Sequence, residues 1–273
     1  MRDYPKHPSI IITMGPSIKD EELLKQILSG KVTHVRFNMS HGSKDEHLER
    51  LELVRRVAKH LQKDINVFAD LCGPKLRVLE LDNDEMILSS GDKVTISHEK
   101  IVGKDKAFSI SYPDLYLSVQ KNTKIALDDG KILLEVVEIV DKDIVCTVVR
   151  GGKLLSEKGV NVLDTDKNID AFTEKDKEDA LFALENNFDA LSLSFVKKKE
   201  DIIMLRTFLA KHTDKNLPII AKIETKQALH AIDGIIEEAD VIMIARGDLG
   251  IEIPIEEIPI VQKELAYVAR KMQ

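Results

Sequence analysis

The segment MIARGDLGIEIP, residues 243–254, contains three adjacent residues, Arg246-Gly247-Asp248, whose side chains or backbone could contact a ligand. An apolar run stops where they begin. Three interpretations are open. The tripeptide is a solvated turn that ends a strand, a cell-adhesion signal of the Arg-Gly-Asp type, or the rim of an active site. Glycine ends strands and also lets a ligand approach the backbone closely. The tripeptide alone therefore does not decide among the three.

A second pair of charged residues limits the kinds of reaction that the sequence could support. Lys222 and Glu224 lie two positions apart in the stretch AKIET, within an otherwise apolar run. Side chains two apart in a strand point to the same side, and a buried charge needs a partner or a metal. Glu224 and Asp248 together suit a hard cation such as Mg²⁺, and Arg and Lys residues after the other predicted strands suit a phosphorylated substrate. This combination indicates phosphoryl transfer or enolate chemistry without a Walker-type glycine loop.

Composition excludes several classes of protein. The 273 residues are 43% hydrophobic and 32% charged, which is typical of a folded chain with a real core. A net charge of −7 argues against nucleic-acid binding, and two cysteines, Cys72 and Cys146, imply no disulfide framework. No apolar run is long enough to span a membrane, and the first residues lack a signal-peptide pattern. We expect a cytoplasmic protein, which weakens the adhesion interpretation.

The elements that must position these residues follow a regular order. Short β-branched runs alternate with helical patterns six times, which predicts a parallel sheet flanked by helices. The predicted strands are 10–13, 33–37, 66–69, 190–195, 219–223 and 241–245. The predicted helices are 20–28, 46–61, 173–184, 202–209, 228–238 and 258–268. The carboxyl ends of such strands share one face, where ligands bind.

One long gap interrupts the order. Residues 78–168 show short alternating runs and Gly-containing turns instead of a helical period, which predicts a small all-β domain inserted after the third strand. The predicted fold class is α/β, a TIM-type barrel with the barrel domain at 1–77 and 169–273 and the inserted domain at 78–168. Six βα units are two fewer than the roughly eight of a closed barrel, so we expect an incomplete barrel.

Seven segments, in order, resemble the pyruvate kinase family: RFNMSHGSKDEH, DLCGPKLR, DDGKI, KGVNV, SFV, AKIE and ARGDLGIEIP. The resemblance runs from Ile10 to the end of the sequence. It implies phosphoryl transfer from phosphoenolpyruvate to ADP, giving pyruvate and ATP in glycolysis, within a barrel that carries a mobile inserted β-domain.

The resemblance also implies roles at the predicted strand ends. Arg36 would bind the substrate phosphate, and Lys222 would neutralise the phosphoryl group during transfer. Glu224 and Asp248 would hold Mg²⁺, or Mn²⁺ in its place, and Gly247 would donate to the substrate. Arg246 is then a structural ion-pair partner.

Nucleotide and monovalent-ion positions are implied in the same way. The family's nucleotide contacts fall on Asn38, His41, Arg77 and Lys158. The family's potassium site falls on Asn38, Ser40, Asp70 and the Leu71 carbonyl. Leu71 together with Lys75 resembles the potassium-independent branch, where the lysine ammonium stands in for the ion. K⁺ is therefore predicted not to be required.

Several positions depart from the family pattern. The next family motif, Thr-Gln-Met-Leu, and the C-terminal effector domain are not in this sequence, and that threonine helps to protonate the enolpyruvate. Ile169-Asp170 stands where the family has Leu-Pro, Lys197 where it has Arg, and Cys72 where it has Lys or Gln.

Two other functions stay open. One is an Mg²⁺-enolate aldolase or lyase of the phosphoenolpyruvate/pyruvate-binding barrels, against which Arg77, Lys158 and the insert argue. The other is a non-catalytic shortened paralogue, or a subunit that needs a second chain, against which the retained Lys222, Glu224 and Asp248 argue.

An open six-stranded sheet would expose apolar strand edges and helix faces. We therefore predict a homo-oligomer, or a second chain that completes the barrel. Sedimentation velocity at micromolar concentration is expected to show species larger than one chain, and a monodisperse monomer would contradict the prediction.

Overall fold

Fifteen strands build the sheets of the computed structural model, which describes residues 9–18, 20–163 and 170–272. The first three are β1 (Ile10–Met14), β2 (Val32–Asn38) and β3 (Asn66–Asp70). Nine follow: β4 (Leu76–Arg77), β5 (Glu85–Leu88), β6 (Lys93–Ser97), β7 (Ala107–Ser109), β8 (Lys124–Leu127), β9 (Ile132–Val140), β10 (Asp143–Arg150), β11 (Gly152–Leu155) and β12 (Gly159–Leu163). The last three are β13 (Ala190–Leu193), β14 (Ile219–Ile223) and β15 (Val241–Ile244).

Helices fill the spaces between the outer strands. They are α1 (Glu21–Ser29), α2 (Lys44–His60), α3 (Glu174–Glu185), α4 (Lys199–Ala210), α5 (Lys226–His230), α6 (Ile232–Glu238), α7 (Arg246–Glu252) and α8 (Ile258–Met272). Three short 3₁₀ turns span Asp82–Asp84, Pro113–Leu117 and Ile255–Glu257.

The first sheet is parallel and consecutive. Its order is β1-β2-β3-β13-β14-β15, and every neighbouring pair runs in the same direction. Burial of the apolar runs is confirmed for β14, all five residues of which are buried, whereas most residues of the outer strands β1 and β15 are exposed or half-buried. The predicted fold class is confirmed, since the six βα units form an incomplete α/β barrel. Within the described residues, β1 and β15 each have a strand neighbour on one side alone.

The second sheet lies entirely between β3 and α3. Its order is β4-β12-β8-β9-β10-β6-β7; all its pairs are antiparallel except β6 with β7, and β11 pairs separately with β5. The side chains of these strands form a core of their own, distinct from the core beneath the parallel sheet. We call residues 76–163 the insert.

The predicted limits of the inserted domain lie close to the ends of the insert and stay predictions. The limit between Arg77 and Val78 lies at the end of β4, and β4 already pairs with β12 of the insert. The limit between Asn168 and Ile169 lies outside the described residues.

Capping side chains fix where the helices begin. The Asp20 carboxylate accepts the Leu23 amide at 2.8 Å and starts α1. Ser43 and Glu46 form a reciprocal capping box at α2, and Thr173 and Asp176 form one at α3. The α3 start lies one residue after the start of the predicted helix 173–184.

One prediction about local structure was wrong. The predicted helix 228–238 is two helices, because the backbone leaves the helical conformation at Ala231. Arg246-Gly247-Asp248, for which the sequence predicted no helix, forms the first turn of α7. Glycine has poor helix propensity, and burial of Leu249 against Ile253 and Ile258 outweighs it.

A tight junction in the insert gives a test of the packing. Gly151 lies between β10 and β11, and a methyl group there would overlap the Leu88 carbonyl oxygen and lie 3.0 Å from Ser89 Cα. Because backbone atoms cannot move aside cheaply, Gly151→Ala should lower the free energy of unfolding by about 1–3 kcal/mol in urea denaturation.

The matched control for that change is Gly15→Ala, since no atom lies within 4 Å of the methyl group that it would add. Its free energy of unfolding should stay within about 0.5 kcal/mol of the wild type. Equal effects of the two substitutions would contradict the packing described.

Candidate active site

The carboxylate of Asp70, at the carboxyl end of β3, is the centre of a buried polar network. One oxygen accepts the Ser192 hydroxyl at 2.5 Å and lies 3.3 Å from Lys222 Nζ. The other accepts Arg36 Nε at 2.6 Å. Asp70 is paired in register with Asn38 of β2 and Ser192 of β13. Four neighbouring strands, β2, β3, β13 and β14, therefore deliver these side chains to one point.

Lys222 is the buried cation of this network. Its ammonium lies 2.8 Å from a Glu224 oxygen and donates to the Ser194 hydroxyl at 2.7 Å, in addition to its contact with Asp70. Burial alone would lower the pKa of Lys222, but the Glu224 and Asp70 carboxylates raise it above its ordinary value. The ammonium is therefore charged at neutral pH and held at the strand ends.

Glu224 is almost completely buried beside it. Burial raises the pKa of Glu224, the Lys222 ammonium opposes that shift, and the negative charge of Asp248 adds to it. The second carboxylate oxygen accepts the Phe195 amide at 2.7 Å. Because the pKa of Glu224 is raised by a nearby carboxylate, a further cation at this place would favour the ionised form.

Ser194 and Phe195 support these charges from the end of β13. The Ser194 hydroxyl accepts from Lys222 and donates to the Leu71 carbonyl at 2.7 Å. Phe195 has φ +54°, a region that non-glycine residues rarely adopt, and this conformation accompanies the amide's hydrogen bond to Glu224. Such strain occurs often at functional sites.

Arg36 extends the network towards solvent. Its guanidinium contacts Asp70 at 2.5 Å and donates to the Thr13 hydroxyl at 3.1 Å, while 27% of its side chain remains exposed. Two partners therefore fix the orientation of a cation that still has surface free to meet an anion.

Asp248 and Gly247 approach the network from α7. Asp248 lies in the first turn of this helix, and its charge acts on Glu224. A Cβ built on Gly247 would meet nothing within 4 Å, so open space adjoins the backbone there. Leu249, which is fully buried, anchors this turn. The Arg-Gly-Asp sequence is thus part of a short helix beside a buried acid.

The protein itself supplies only part of the ligand set that a divalent cation needs. Glu224 and Asp248 are two carboxylates close enough for the charge of Asp248 to act on Glu224. In the described parts of the chain, no group of three or more His, Cys, Asp or Glu side chains is arranged to hold a metal. Mg²⁺ commonly takes one or two carboxylates and completes its shell with water and substrate phosphates. The buried Glu224 and Asp248, which lines the adjoining cleft, would supply the two carboxylates of that pattern.

The predicted nucleotide positions fall into two groups. Burial lowers the pKa of His41, and the charges of Lys75 and Arg77 lower it further, which places these three residues in one electrostatic neighbourhood. Arg77 donates to the Glu157 carbonyl at 2.7 Å. Lys158, by contrast, lies 3.1 Å from the Asp128 carboxylate within the insert.

The predicted potassium positions are occupied by protein contacts. Asn38 accepts the Ser40 amide at 3.1 Å, the Leu71 carbonyl accepts from Ser194, and both Asp70 oxygens are hydrogen-bonded. Lys75 is exposed, and its ammonium forms no salt bridge with any described residue. The structure thus brings Asp70 and Leu71 into the network but does not seat the Lys75 ammonium there.

A cleft of about 120 Å³ separates the insert from the barrel face. The insert side contributes Asp129 and residues 159–162, and the barrel side contributes Phe195, Thr225, Asp248 and Glu252. A small ligand in this cleft would touch both parts of the molecule.

Four residues of the network were given no role by the sequence: Thr13, Ser192, Ser194 and Phe195. The serines carried a signal, since polar side chains at alternate positions of a buried strand need partners. The Phe195 contribution is a backbone amide in an unusual conformation, which leaves no mark in the residue type.

The fold and the network together define an α/β barrel protein with a buried Lys–carboxylate site at the carboxyl ends of its strands. The family model described as "Pyruvate kinase, barrel domain" matches residues 5–273. The chain belongs to the pyruvate kinase family, as its motifs predicted.

Relatives agree with this assignment. The chain is 40% identical over 264 residues to the pyruvate kinase of Thermococcus litoralis, covering 96% of this chain and 55% of that protein. It is 38% identical over 257 residues to the pyruvate kinase of Clostridium perfringens, covering 94% and 54%. It is 38% identical over 272 residues to pyruvate kinase 2 of Synechocystis sp., covering 98% and 46%. The chain spans about half the length of these curated relatives.

The buried network should make Lys222 important for stability. Lys222→Met would leave Glu224 and Asp70 buried without their ammonium, which costs about 3–5 kcal/mol of unfolding free energy at pH 7. As pH falls through the raised pKa of Glu224, that carboxylate is protonated and the penalty shrinks. Urea denaturation of both proteins at pH 7 and at pH 5 measures the difference.

Lys177→Met is the control, because Lys177 pairs at 2.5 Å with the exposed Glu174 on the surface of α3. It should cost less than about 1 kcal/mol at either pH. A Lys222→Met penalty that is small, or that grows as pH falls, would show that the ammonium does not stabilise these carboxylates.

Proposed function

We propose that this chain carries the active site of a pyruvate kinase, which transfers the phosphoryl group of phosphoenolpyruvate to ADP. The observation that carries the proposal is the network of Arg36, Asp70, Lys222 and Glu224 at the strand ends, with Asp248 beside it. It gathers two cations at the strand ends together with two carboxylates that would hold a metal. The family assignment supports the same reaction.

The chemistry assigns each group a role. A β-phosphate oxygen of ADP attacks the phosphorus, the bond from phosphorus to the enol oxygen breaks, and the enolate takes a proton at carbon to become pyruvate. Lys222 and Arg36 offset the negative charge of the group in transfer, and Arg36 holds its oxygens. The Gly247 amide would donate to the substrate, and the open space beside it supports this role.

Glu224 and Asp248 would hold Mg²⁺, or Mn²⁺ in its place. When bound, the ion neutralises charge on the phosphate and enolate oxygens. This chain's contribution is to keep Glu224 ionised and oriented through Lys222 and the Phe195 amide.

The nucleotide would enter between the barrel and the insert. Asn38 and His41 lie on the barrel side, and Arg77 and Lys158 lie on the insert side or at its start. Because Lys158 is paired with Asp128, it must exchange that partner for the nucleotide phosphates when ADP binds. We propose the same division of the chain that the sequence predicts, with the insert acting as a lid.

Potassium is proposed to be unnecessary. The ammonium of Lys75 is close enough to affect His41 and has no salt-bridge partner among the described residues. It is therefore available to neutralise the nucleotide or the substrate in place of K⁺. The setting is proposed to be cytoplasmic, with both cysteines as free thiols. No described helix is long and apolar enough to cross a membrane.

One observation favours dependence on a partner. Beside β15 lies an apolar groove of about 260 Å³ between that strand and α8, and Val241, Ile260 and Tyr267 are exposed nearby. Large exposed apolar side chains around an unpaired strand edge are typical of an interface. We propose that a second copy, or another polypeptide segment, covers this side and completes the barrel in the active form.

A coupled assay of pyruvate production with phosphoenolpyruvate, ADP and Mg²⁺ tests the proposal. The wild type should turn over, equally with and without K⁺. Lys222→Met should reduce kcat by about a thousandfold or more, because the charge is needed mainly in the transition state. Lys177→Met should retain wild-type turnover.

Binding measurements separate loss of chemistry from loss of the site. Calorimetry with oxalate, an enolpyruvate mimic, should show Mg²⁺-dependent binding that Glu224→Gln weakens. Binding without turnover would mean that the site survives without the reaction. Neither binding nor turnover in a folded wild type would overturn the proposed function.

A further inference from the structure

The chain crosses between the barrel and the insert twice. The outgoing crossing, residues 71–75, follows β3 and contains Gly73. The described part of the returning crossing, residues 170–173, leads into α3 and ends at Thr173. Any movement of the insert relative to the barrel must be absorbed at or beyond these two segments.

A single carboxylate binds both crossings. One oxygen of Asp176 accepts the Gly73 amide at 3.0 Å. The other accepts the Thr173 amide at 2.9 Å and the Thr173 hydroxyl at 2.7 Å. Asp176 is fully buried and has no salt-bridge partner in the described part of the chain. Its charge is therefore balanced by these three donors and by the start of the α3 helix.

The Gly73 backbone has little freedom on its other side. Gly73 has φ +64°, and a Cβ there would lie 3.0 Å from the Phe195 ring and 3.2 Å from the Ser194 carbonyl oxygen. The outgoing crossing is thus held between Asp176 and the end of β13. Since the Phe195 amide donates to Glu224, the same packing connects Asp176 to the proposed metal ligand.

The residue next to Asp176 holds a second loop. Lys175 donates to the Met39 carbonyl at 2.8 Å and pairs with Asp179 at 2.5 Å. Met39 lies between Asn38 and Ser40, so the first turn of α3 contacts the loops after both β2 and β3. These two loops carry or lead to the proposed nucleotide contacts His41 and Arg77.

An ordinary capping box does not account for this arrangement. Ser43 and Glu46 form the equivalent box at α2, and there Glu46 satisfies only its own helix end and a nearby arginine. Asp176 makes the same box and also binds a backbone amide 103 residues away in sequence. The additional bond is specific to the crossing.

We propose that Asp176 is a positioning residue that pins the two crossings together and so fixes the start of the insert relative to the barrel. The pin fixes the position of Arg77 near the start of the insert. It thereby fixes the part of the cleft where the nucleotide is proposed to bind. The effect on nucleotide binding rests on the proposed function, whereas the pin itself does not.

Amide hydrogen exchange of Gly73, followed by NMR in the intact protein without ligand, tests the pin. Asp176→Ala should speed exchange of Gly73 by about tenfold or more relative to the wild type, because a hydrogen bond to a buried carboxylate is lost. Asp176→Asn can still accept from Gly73 and should restore most of the protection. It also serves as the folded variant if Asp176→Ala does not fold.

Thr173→Ala is the matched control, because it weakens the same helix cap but leaves the Gly73 acceptor in place. It should lower the unfolding midpoint about as much as Asp176→Asn, while Gly73 exchange changes less than about twofold. Equal acceleration of Gly73 in Thr173→Ala and Asp176→Ala, or no acceleration in Asp176→Ala, would overturn the pin. If Asp176→Ala is unfolded, Asp176→Asn should speed Gly73 exchange more than Thr173→Ala does, because a neutral amide oxygen accepts more weakly than a carboxylate. Exchange in Asp176→Asn no faster than in Thr173→Ala would then overturn the pin.

Measurements of enzyme kinetics distinguish failure of the pin from failure of the proposed function. Asp176→Asn, or Asp176→Ala if folded, should raise KM for ADP more than KM for phosphoenolpyruvate, and Thr173→Ala should raise neither. If the wild type shows no turnover but the Asp176 variants change Gly73 exchange as expected, the pin stands and the proposed kinase function is rejected. Normal turnover with equal KM changes for both substrates would reject the positioning role.

Discussion

Burial of the Lys222 ammonium is the constraint on which the site depends. A charge without partners at that depth would destabilise the fold, so Glu224, Asp70 and the Ser194 hydroxyl must all surround it. They come from three adjacent parallel strands, and their register brings them together. The same requirement ties Arg36 to Asp70 and the Phe195 amide to Glu224. The site and the sheet therefore stabilise each other.

The helices serve this arrangement as much as the strands do. The first turn of α3 holds the loop after β3 through Asp176 and the loop after β2 through Lys175. The first turn of α7 brings Asp248 beside Glu224 because Leu249 is buried beneath it. In both cases the start of a helix meets the carboxyl end of a strand, where parallel α/β folds place their ligands. A cleft between this face and the insert leaves room for a small ligand.

Much of the fold and of the candidate site was predictable from local sequence patterns. Near-continuous apolar runs marked all six parallel strands, and β14 was predicted to the residue. The helical pattern over 173–184 marked α3. The insert was visible as a change from helical periods to short alternating runs. The chemistry of Lys222, Glu224 and Asp248 followed from charged residues within or after apolar runs. The helical state of Arg246-Gly247-Asp248 did not, because a distant packing contact decides it.

The sequence by itself determined the family, the strand and helix order, and the residue types at the strand ends, because these depend on local periodicity and on ordered motifs. Only the tertiary structure decided which charges meet. It placed Asp70 at the centre of the network, put Lys158 against Asp128, and left Lys75 without a salt bridge among the described residues. It also joined Asp176 to Gly73 across 103 residues. The physical reason is that pairing distances of a few ångströms depend on strand register and loop packing, which arise from contacts between residues far apart in sequence.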